Sequence, residues 1–312
     1  MTHTTITLQP TRQLRFHAIS PADFADIARY MALTDSRTCD YTLGGIVLWT
    51  SYFGYQMTLR DDTLYIRGGR EDNLAVPAFA LPLGSTDFPS ALRTLREFSA
   101  PADLWFSAIP EDRLHLFADV DARVEISELG SQWSDYLYDI RSFADLSGGA
   151  MKKKRNHVNR FHQDFPDAQL SELTAADCAD CMALLRALGH DGTPTGRAEY
   201  VAVSDMLDAW ADYAPWFRGA VLRVGGRVAG FTVGEVKGDT LHVHIEKADH
   251  TLPGANEALA SLFAARESRA NPALQFLNRQ DDAGDPGLRA SKESWHPLRL
   301  LPKFNLRIPA AE

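Results

Sequence analysis

The chain has 312 residues, a mass of 34.6 kDa and a formal net charge of −9, from 32 lysines and arginines against 41 aspartates and glutamates. A length beyond about 250–300 residues predicts two domains rather than one, and a hydrophobic content of 45% argues against a disordered chain. The acidic balance argues against a surface that binds nucleic acid or anionic membrane over its whole extent, but it leaves room for a local basic patch.

Hydrophobic periodicity predicts strands and helices in alternation in the first half of the chain. Ser20-Pro21 opens the first helix, since proline suits a first turn, and Asp61-Asp62 joins two strands. The aromatic strand after Asp40-Tyr41 and Gly44-Gly45 either packs in the core or lines a pocket, and core packing is the prediction. The predicted strands are 12–18, 46–59, 63–67, 104–109 and 123–127, and the predicted helices are 20–31 and 87–98.

The second half predicts the same order more clearly. Thr174 caps a helix that ends at Gly189, and Gly225-Gly226 forms a two-residue hairpin turn, because both positions tolerate positive φ. The order predicts an α/β (α+β) protein of two tandem domains, 1–147 and 148–312, each a mixed, mostly antiparallel sheet flanked by helices. The predicted strands are 169–173, 217–224, 227–236, 240–247 and 274–278, the predicted helices are 174–189, 197–213, 254–269 and 286–294, and 298–308 is extended.

The compartment is predicted from features that the sequence lacks. No apolar run approaches the roughly 18–20 residues that a membrane helix needs, and the N-terminal residues lack the basic and apolar segments of a signal peptide. Three cysteines, an odd number, favour a reducing compartment over a disulfide framework. A cytoplasmic protein without a transmembrane segment is therefore expected.

A basic segment holds three of the seven lysines of the chain. On a helix, Met151, Val158 and Phe161 form a narrow apolar seam, and cations and amides occupy the rest of the surface. Because like charges three or four positions apart repel each other, an anion such as phosphate, RNA or a coenzyme phosphate would stabilise the segment. The alternative is a solvated linker helix whose long side chains cover apolar surface. The predicted phosphate- or nucleic-acid-binding residues are Lys152, Lys153, Lys154, Arg155, Asn156, Asn159 and Arg160.

The strand predicted at 240–247 has alternating polar residues. With a period of two, His242, His244 and Glu246 share one face, which lies against either solvent or a cleft. Glu246, at the end of the strand, is the predicted general base, with His244 as the second candidate. No metal site is predicted, because no convincing further ligands accompany this His-x-His-x-Glu pattern.

Another group of polar residues follows the strand at 274–278. Asp281 and Asp282 lie at the carboxyl end of that strand, and Arg289 and Lys292 are neighbours on the next helix. Carboxylates beside paired cations predict a substrate clamp, and the alternative is a helix cap with ordinary surface ion pairs. Cys178-x-x-Cys181 has no second pair, so neither a zinc site nor a redox site is predicted.

Four segments, 154–161, 244–249, 278–282 and 287–292, follow one another in a specific order and spacing, after Asp40-Tyr41-Thr42 near the start of the chain. In these blocks the chain resembles a bacterial family related to the C-terminal domain of phosphatidylglycerol lysyltransferase. The resemblance implies two tandem acetyltransferase-like (GNAT-type) domains, of which the first is mainly a scaffold. It also implies an acyltransferase that uses aminoacyl-tRNA, as in relatives that transfer amino acids to a lipid hydroxyl or to peptidoglycan precursors.

The sequence departs from these relatives at two points. The membrane-spanning portion of the lysyltransferase is absent, which weakens the case for a membrane-lipid acceptor. Relatives that use acetyl-coenzyme A place Arg/Gln-x-x-Gly-x-Gly/Ala after the strand at 240–247, whereas only Gly254, followed by Ala255, remains of that loop here. This change favours tRNA over coenzyme A as the carrier, although a helix N-terminus at this point can still bind an anion.

The resemblance implies a role for each block. Glu246, with His244 as its alternative, would take the proton of the acceptor. Asp281 or Asp282 would hold the aminoacyl ammonium, and the basic segment would contact tRNA. The predicted substrate-binding residues are Asn278, Arg279, Arg289, Lys292 and Lys247.

Two other functions fit the same features. The first is an N-acyltransferase that depends on acyl-coenzyme A, and the second is a non-catalytic module that binds RNA or an anionic metabolite. The acceptor is a small molecule, a peptide or a lipid, no metal or firm cofactor is predicted, and the donor amino acid and the oligomeric state are left open.

Overall fold

The computed structural model describes residues 14–310. Part of the strand predicted at 12–18 lies outside this range, and within its described part the strand covers His17–Ala18 alone. Within residues 14–310, no helix combines the length and the apolar character that a membrane crossing requires.

The described strands form two sheets. They are β1 His17–Ala18, β2 Gln56–Arg60, β3 Thr63–Arg70, β4 Asn73–Phe79, β5 Leu83–Gly84, β6 Leu104–Pro110, β7 Glu125–Glu128, β8 Asp135–Asp139, β9 Gln169–Glu172, β10 Arg218–Val224, β11 Arg227–Lys237, β12 Thr240–Ala248, β13 Phe276–Asn278, β14 Arg299–Leu301 and β15 Lys303–Ile308.

Helices flank both sheets. The α-helices are α1 Phe24–Met31, α2 Leu43–Val47, α3 Thr50–Phe53, α4 Phe88–Ser99, α5 Ile140–Asp145, α6 Lys152–Asp164, α7 Cys178–Leu188, α8 Pro194–Asp208, α9 Trp210–Tyr213, α10 Ala255–Ala270 and α11 Pro286–Glu293. Short 3-10 helices lie at Pro21–Asp23, Cys39–Tyr41, Glu111–Phe117, Ser131–Trp133 and Ala175–Asp177.

Each sheet is mixed and mostly antiparallel, as predicted. The first has the order β1-β2-β3-β4-β6-β15-β7, with β5 on β3, and the second has the order β14-β8-β13-β12-β11-β10-β9. Among the described strands, β4 with β6 and β12 with β13 are the parallel pairs.

The two sheets exchange strands. β8, from the first half of the chain, pairs with β13 and β14 in the second sheet, and β15, at the end of the chain, pairs with β6 and β7 in the first. The largest hydrophobic cluster also contains residues of both halves, such as Phe106 and Phe231. The division at 147 stays a prediction, but the exchange places Asp135 and Lys303, the first residues of the crossing strands, at the junction of the sheets.

Local capping signals explain several elements that were predicted from the sequence. Thr174 and Asp177 form a capping box before α7, and the helix ends at Gly189 with φ +65°. Gly225 and Gly226 have φ +55° and +76° in the turn between β10 and β11. These elements are confirmed because their start and stop residues act locally.

The strand predicted at 46–59 is wrong over most of its length. Thr42 caps α2 by accepting a hydrogen bond from the backbone N–H of Gly45 at 3.0 Å, and Gly54, with φ +64°, ends α3. The whole of α2 is buried, so its residues show no polar face that distinguishes a helix from a strand. The helix predicted at 197–213 begins earlier, at Pro194, because Thr193 caps it.

Candidate active site

β12 carries a β-bulge at His244. The ladder pairs Gly234 with Val243 and Val233 with Ile245, so His244 is an extra residue without a partner in β11. A bulge re-aims side chains and is common next to active sites. The bulge therefore divides the polar strand that the sequence predicts, so that the residues before it and after it no longer follow one alternation.

The bulge reverses which residues face each side of the sheet. Before the bulge, Leu241 and Val243 pack in the hydrophobic cluster that includes Trp295, and after it Ile245 packs in the other large cluster. We infer that Glu246 is turned away from the two histidines. The predicted common face of all three polar residues is wrong, because the alternation with period two ends at the bulge.

Both ring nitrogens of His244 are bonded to buried polar groups. Nε2 lies 2.7 Å from Glu235 Oε1, and Nδ1 lies 2.7 Å from Gln280 Nε2. The proton on Nε2 faces the carboxylate, so that Nδ1 accepts a hydrogen bond from the Gln280 amide. A Cβ at position 44 would come within 2.4 Å of His244 Nε2, so Gly44 is required for this close approach.

Glu235 is held in its ionised form. Its carboxylate accepts hydrogen bonds from the backbone N–H groups of Leu43 at 3.2 Å and Gly44 at 2.7 Å, in addition to His244. Burial alone would raise the pKa of Glu235, but the hydrogen bond and charge of His244, the charge of His242 and the Gly44 N–H together outweigh it and lower the pKa to about 2. The ionised carboxylate therefore faces the Nε2 proton of His244.

A buried lysine collects carboxylates at the junction of the sheets. Lys303 is 1% exposed, and its Nζ lies 2.8 Å from Asp40 Oδ2, 2.8 Å from Asp135 Oδ1 and 3.6 Å from Asp281 Oδ2. Glu71 completes what we call the carboxylate–lysine cluster, since the charges of Asp40 and Lys303 both act on its pKa.

The same group has the donor atoms of a cation site. Ligand atoms of Cys39, Asp135 and Asp281 lie within 4.8 Å of one another. The ammonium of Lys303 lies among them, 3.5 Å from Cys39 Sγ, so a lysine supplies the cation at this point.

The carboxylate–lysine cluster has more carboxylates than cations. Burial raises the pKa of both Asp40 and Asp281 in spite of Lys303, and burial together with Asp40 raises that of Glu71 well above its usual value. For Asp135, burial would raise the pKa, but the charge of Lys303 and the hydrogen bonds from Lys303, Asn278 and the Cys39 N–H together outweigh it, and the pKa is lowered. Asp135 and Lys303 thus form the balanced pair, and the other carboxylates are in excess.

A small pocket opens beside the excess carboxylates. Its volume is about 20 Å³, which is enough for about one water molecule. Asp40, Glu71, Tyr41, Tyr55 and Ser107 are among the lining residues. Trp49 and Tyr55 of the aromatic segment pack against the largest hydrophobic cluster, as predicted, and Tyr55 also lies in the wall of this pocket.

The His244–Glu235 pair and the carboxylate–lysine cluster belong to one site. Gln280 bonds His244, and the next residue, Asp281, faces Lys303. Gln280 has φ +58°, a left-handed conformation that typically costs about 1–3 kcal/mol outside glycine. Its backbone N–H donates to Asn278 Oδ1 at 2.6 Å, which holds the turn.

Glu246, the predicted general base, is paired with a different side chain. Its Oε1 lies 2.6 Å from Arg279 Nη2, and both side chains are largely buried. The Arg279 guanidinium lies 5.6 Å from the ring centroids of Phe143 and Trp295. The pair ties β12 to the residue that follows β13, which is a structural role.

Asp282 has no oxygen left for a substrate ammonium. Its carboxylate accepts hydrogen bonds from the Tyr136 hydroxyl at 2.7 Å, from Arg289 at 2.9 Å through both oxygens, and from the Gly284 N–H at 2.9 Å. The side chain is 0% exposed. The ammonium-binding role predicted for Asp282 is therefore contradicted, whereas Asp281 retains an exposed fraction of 19%.

Other predicted substrate-binding residues brace the same loop. Lys292 Nζ donates to the carbonyl oxygens of Arg279, at 2.6 Å, and Asp281. Asn278 is fully buried and donates to Asp135 Oδ2 at 2.8 Å, and Lys247 pairs with Glu199 at 2.6 Å. Contacts of these residues with a substrate stay predictions.

The basic side chains of helix α6 fall into two sets, one buried against the protein and one exposed to solvent. Lys154 is buried, pairs with Glu257 at 3.2 Å and lies 4.7 Å from the centroid of the Trp295 ring. Arg155 donates to the carbonyl oxygen of Leu146. The nucleic-acid-binding role of Lys154 and Arg155 therefore does not fit their contacts. The residues of this set that stay exposed are Lys152, Lys153, Asn156, Asn159 and Arg160.

Four charged residues of the site were not singled out from the sequence: Glu71, Asp135, Glu235 and Lys303. Two of them carry a signal in hindsight, since Glu235 is the only charge between Arg227 and Lys237 of β11, and Lys303 opens β15, a strand with one other charge, Arg307. A charge that is buried in such a strand needs a partner. The partners lie in distant parts of the chain, and no local pattern identifies them.

Comparison with known proteins agrees with this architecture. The family model described as phosphatidylglycerol lysyltransferase, C-terminal, matches residues 31–307. The chain belongs to this family. The predicted fold class, an α/β (α+β) protein with two mixed, mostly antiparallel sheets flanked by helices, is confirmed. The family is of the acyl- or aminoacyl-transferase kind.

Individual relatives are more distant. A conserved protein of unknown function from Bacteroides thetaiotaomicron is 26% identical, with a TM-score of 0.81, over 95% of this chain and 99% of that one. L-PGS from Bacillus licheniformis is 14% identical, with a TM-score of 0.57, over 83% and 85% of the two chains, and is similar in fold. An uncharacterised curated protein of Mycoplasmoides gallisepticum is 23% identical over 195 residues, and the match spans 61% of its length and 61% of this chain.

Proposed function

We propose that the protein transfers an aminoacyl group from aminoacyl-tRNA to an amine or hydroxyl acceptor. The observation that carries this proposal is the excess of carboxylates around Lys303. Asp40, Asp281 and Glu71 all have raised pKa values, because burial disfavours their charge and one lysine serves them all. A second ammonium group would compensate the excess charge, and every aminoacyl-tRNA carries one on its α-carbon.

The position of the pocket supports this role. Asp40 and Glu71 line it, and both are close to Lys303 without being neutralised by it. An ammonium that enters here exchanges its hydration for charge-assisted hydrogen bonds, which are about twice as strong as neutral ones. Its binding would favour the ionised forms of Asp40 and Glu71, and the substrate would thereby complete the site.

The His244–Glu235 pair supplies the route for the proton. In the proposed step, the acceptor takes the place of the Gln280 amide at His244 Nδ1. The bond between the acyl carbon and the ribose oxygen of tRNA breaks, and the acyl carbon bonds to the acceptor nitrogen or oxygen. His244 takes the acceptor proton while Glu235 stabilises the imidazolium, and the proton is then returned to the ribose oxygen.

The exposed side of α6 is the proposed contact for the tRNA backbone. Lys152, Lys153 and Arg160 are exposed there, and the N–H of a lysine or arginine can bind phosphate without reading base sequence. Arg160 also pairs with Asp164 at 3.3 Å, so the two lysines are the freer cations. Binding is then expected to weaken as salt increases.

The geometry around Gly254 gives less support to coenzyme A as the carrier. A Cβ at position 254 would meet the carbonyl oxygen of His157 at 2.7 Å, because α6 packs against the start of α10. The helix N-terminus that would hold a pyrophosphate is therefore close to another helix.

The test is a transfer assay with purified protein, labelled aminoacyl-tRNAs and a panel of small-molecule, peptide and lipid acceptors. We expect label to reach an acceptor, and ribonuclease treatment of the donor to abolish transfer. Asp40→Asn is expected to lose about 100-fold or more of kcat/KM, whereas Asp119→Asn, an exposed control, keeps the wild-type rate. Transfer from acyl-coenzyme A that is insensitive to ribonuclease would overturn the proposal.

A further inference from the structure

A second, larger pocket lies between the two halves of the chain and has no part in the proposed transfer. Its walls come from the start of α1, from the α2–α3 segment and from α8 and α9. Its volume is about 140 Å³, close to the roughly 150 Å³ of an engineered apolar cavity that binds benzene. The pocket therefore has room for one aromatic ring. Its lining residues include Phe24, Val47, Leu48, Thr50, Ser51, Asp205 and Tyr213.

Helix α2 contributes residues to both pockets. Ile46 lines the small pocket beside Glu71, whereas the next two residues, Val47 and Leu48, line the larger one. Among the described residues, none lines both pockets. The larger pocket is therefore a cavity separate from the carboxylate–lysine cluster.

Asp205 brings the only charge to the larger pocket among the described residues that line it. Its exposed carboxylate has no hydrogen bond or ion pair with any other described residue. The hydroxyl groups of Ser51 and Tyr213 also lack a partner in the described part of the chain, whereas Thr50 Oγ1 donates to the Ile46 carbonyl oxygen at 2.9 Å. The pocket thus offers one carboxylate and two hydroxyl groups to a ligand.

The chain around Asp205 is acidic. Residues 198–217 include four acidic side chains and no lysine, arginine or histidine. Glu199 has a lysine partner, but Asp205, Asp208 and Asp212 have no cationic partner among the described residues. The negative charge at the pocket favours a cation and repels phosphate and carboxylate groups.

Two aromatic rings form part of the pocket wall. Phe24 and Tyr213 both line it, with ring centroids 5.2 Å apart and an interplanar angle of 68°. Burial raises the pKa of Tyr213, and the charges of Asp205 and Asp212 act in the same direction, so the phenol stays neutral. Aromatic faces attract organic cations. The rings and the carboxylate together suit a ligand that has an apolar body and a positive charge.

We propose that this pocket binds a small organic cation, a primary amine with an apolar group of about the size of one aromatic ring. Asp205 accepts a charge-assisted hydrogen bond from the ammonium, and the apolar group packs against Phe24 and Leu48. Anionic ligands, including nucleotides and acidic lipids, are repelled by the same carboxylate. The inference goes beyond the proposed function and does not rest on it.

The test is a ligand-observed NMR titration of the full chain at pH 7.5. Phenethylamine, phenethyl alcohol and phenylacetate carry a positive, a neutral and a negative group on the same aromatic body. We expect the amine to bind with a Kd of about 1 mM, the alcohol to bind about tenfold more weakly, and phenylacetate to show no saturable binding. Equal affinity for amine and alcohol, or no binding of the amine, would overturn the proposal.

Substitutions of aspartates locate the bound amine. Asp205→Asn should weaken phenethylamine binding about tenfold and leave the Tm unchanged, because the side chain is exposed. Asp208→Asn, an exposed control on the same helix, should keep the wild-type affinity. Loss of binding in Asp40→Asn, with none in Asp205→Asn, would place the amine in the carboxylate–lysine cluster and overturn the proposal.

Ala202→Leu tests the apolar part of the pocket without a change of charge. Ala202 lines the pocket from α8, so the added carbons should occupy its space and weaken phenethylamine binding by about fivefold or more. A folded Ala202→Leu protein with wild-type affinity would overturn the assigned position. If this variant does not fold, the three probes and Asp205→Asn still decide the question.

A free amine and the N-terminus of a peptide present the same chemistry. A tripeptide amide that begins with phenylalanine is therefore titrated beside phenethylamine. Tighter binding of the peptide assigns the pocket to a peptide N-terminus, and weaker binding assigns it to a free amine. These measurements need no turnover, so their outcome is independent of the transfer assay.

Discussion

Two groups of carboxylates, one around Asp282 and the other around Asp281 and Asp40, have opposite electrostatic environments. Around Asp282, burial would raise the pKa, but Arg289 and Tyr136 lower it below its usual value. Around Asp281 and Asp40, burial prevails over Lys303, and both pKa values are raised. The surroundings of Asp282 favour its ionised form. Around Asp281 and Asp40, the negative charge exceeds what the single ammonium of Lys303 neutralises.

This difference separates support from recognition. A carboxylate with all its hydrogen bonds made holds the loop in place, and its loss is expected to lower stability. A carboxylate with unbalanced charge can bind an incoming cation, and its loss is expected to lower activity. Perturbed groups in a cleft are candidates for function for this reason.

The largest expected effect on stability comes from removing Lys303, the cation of the second group. Lys303→Met leaves Asp135, which is 0% exposed, without its partner, and such changes cost about 3–5 kcal/mol. Urea unfolding at pH 7.5 measures the loss, and Lys153→Met, an exposed control, is expected to lie within about 0.5 kcal/mol of wild type. Equal stability of both variants would show that the buried cluster does not depend on Lys303.

The next effect is a dependence of stability on acid. The pKa of Glu235 is about 2 in the folded protein against about 4.3 in a model peptide. A lowered acid pKa contributes stability that is complete above the unfolded value and is lost as pH falls through the folded value, a difference of about 3 kcal/mol. Between pH 5 and 2, Glu235→Gln should therefore lose less stability than wild type.

The matched control for this measurement is Glu128→Gln, which changes an exposed glutamate. Its free energy of unfolding should follow wild type throughout the same pH range. Parallel curves for wild type and Glu235→Gln would contradict the ionised state of Glu235 beside His244.

The two groups of aspartates are compared directly by one substitution in each. Asp282→Asn should lower the free energy of unfolding by about 1–3 kcal/mol, because Arg289 loses its ionic partner and is partly exposed. Asp40→Asn should leave stability equal or higher at neutral pH, since it removes a charge that burial disfavours. Unfolding curves and kcat/KM are measured on both proteins. Asp282→Asn should show the larger loss of stability, and Asp40→Asn should show the larger loss of kcat/KM.

The smallest expected effect concerns α6. The double variant Lys152→Ala with Lys153→Ala should keep its stability and bind tRNA more weakly. Its log affinity should also depend less steeply on log salt, by about one unit for each phosphate that the variant no longer neutralises. Lys154→Ala, by contrast, should destabilise the fold through Glu257 and Trp295. Unchanged salt dependence in the double variant would remove α6 from the tRNA-binding surface.

Much of the fold was predictable because its signals are local. Caps such as Thr174 and turns such as Gly225-Gly226 act within a few residues of where they stand. The segment at 46–59 was not predictable in this way, since burial on all sides removes the polar face that marks a helix. The exchange of β8 and β15 between sheets depends on contacts between distant parts of the chain.

The site was predictable in part for the same reason. His244 and Asp281 were predicted because they stand in dense polar blocks. Glu246 shares such a block, but the bulge at His244 turns it to another partner, and no sequence pattern indicates that bulge. Asp40 and Lys303 meet only when the last strand enters the first sheet, so their pairing required the structure.

The most direct test of ammonium recognition uses a donor that lacks the ammonium. Aminoacyl-tRNA and the same donor with its α-amino group acetylated carry the same acyl ester and tRNA. We expect wild-type protein to prefer the free amine by about 100-fold or more in kcat/KM, and Asp40→Asn to lose most of this preference. Equal rates with both donors in wild-type protein would contradict the role assigned to the carboxylate–lysine cluster.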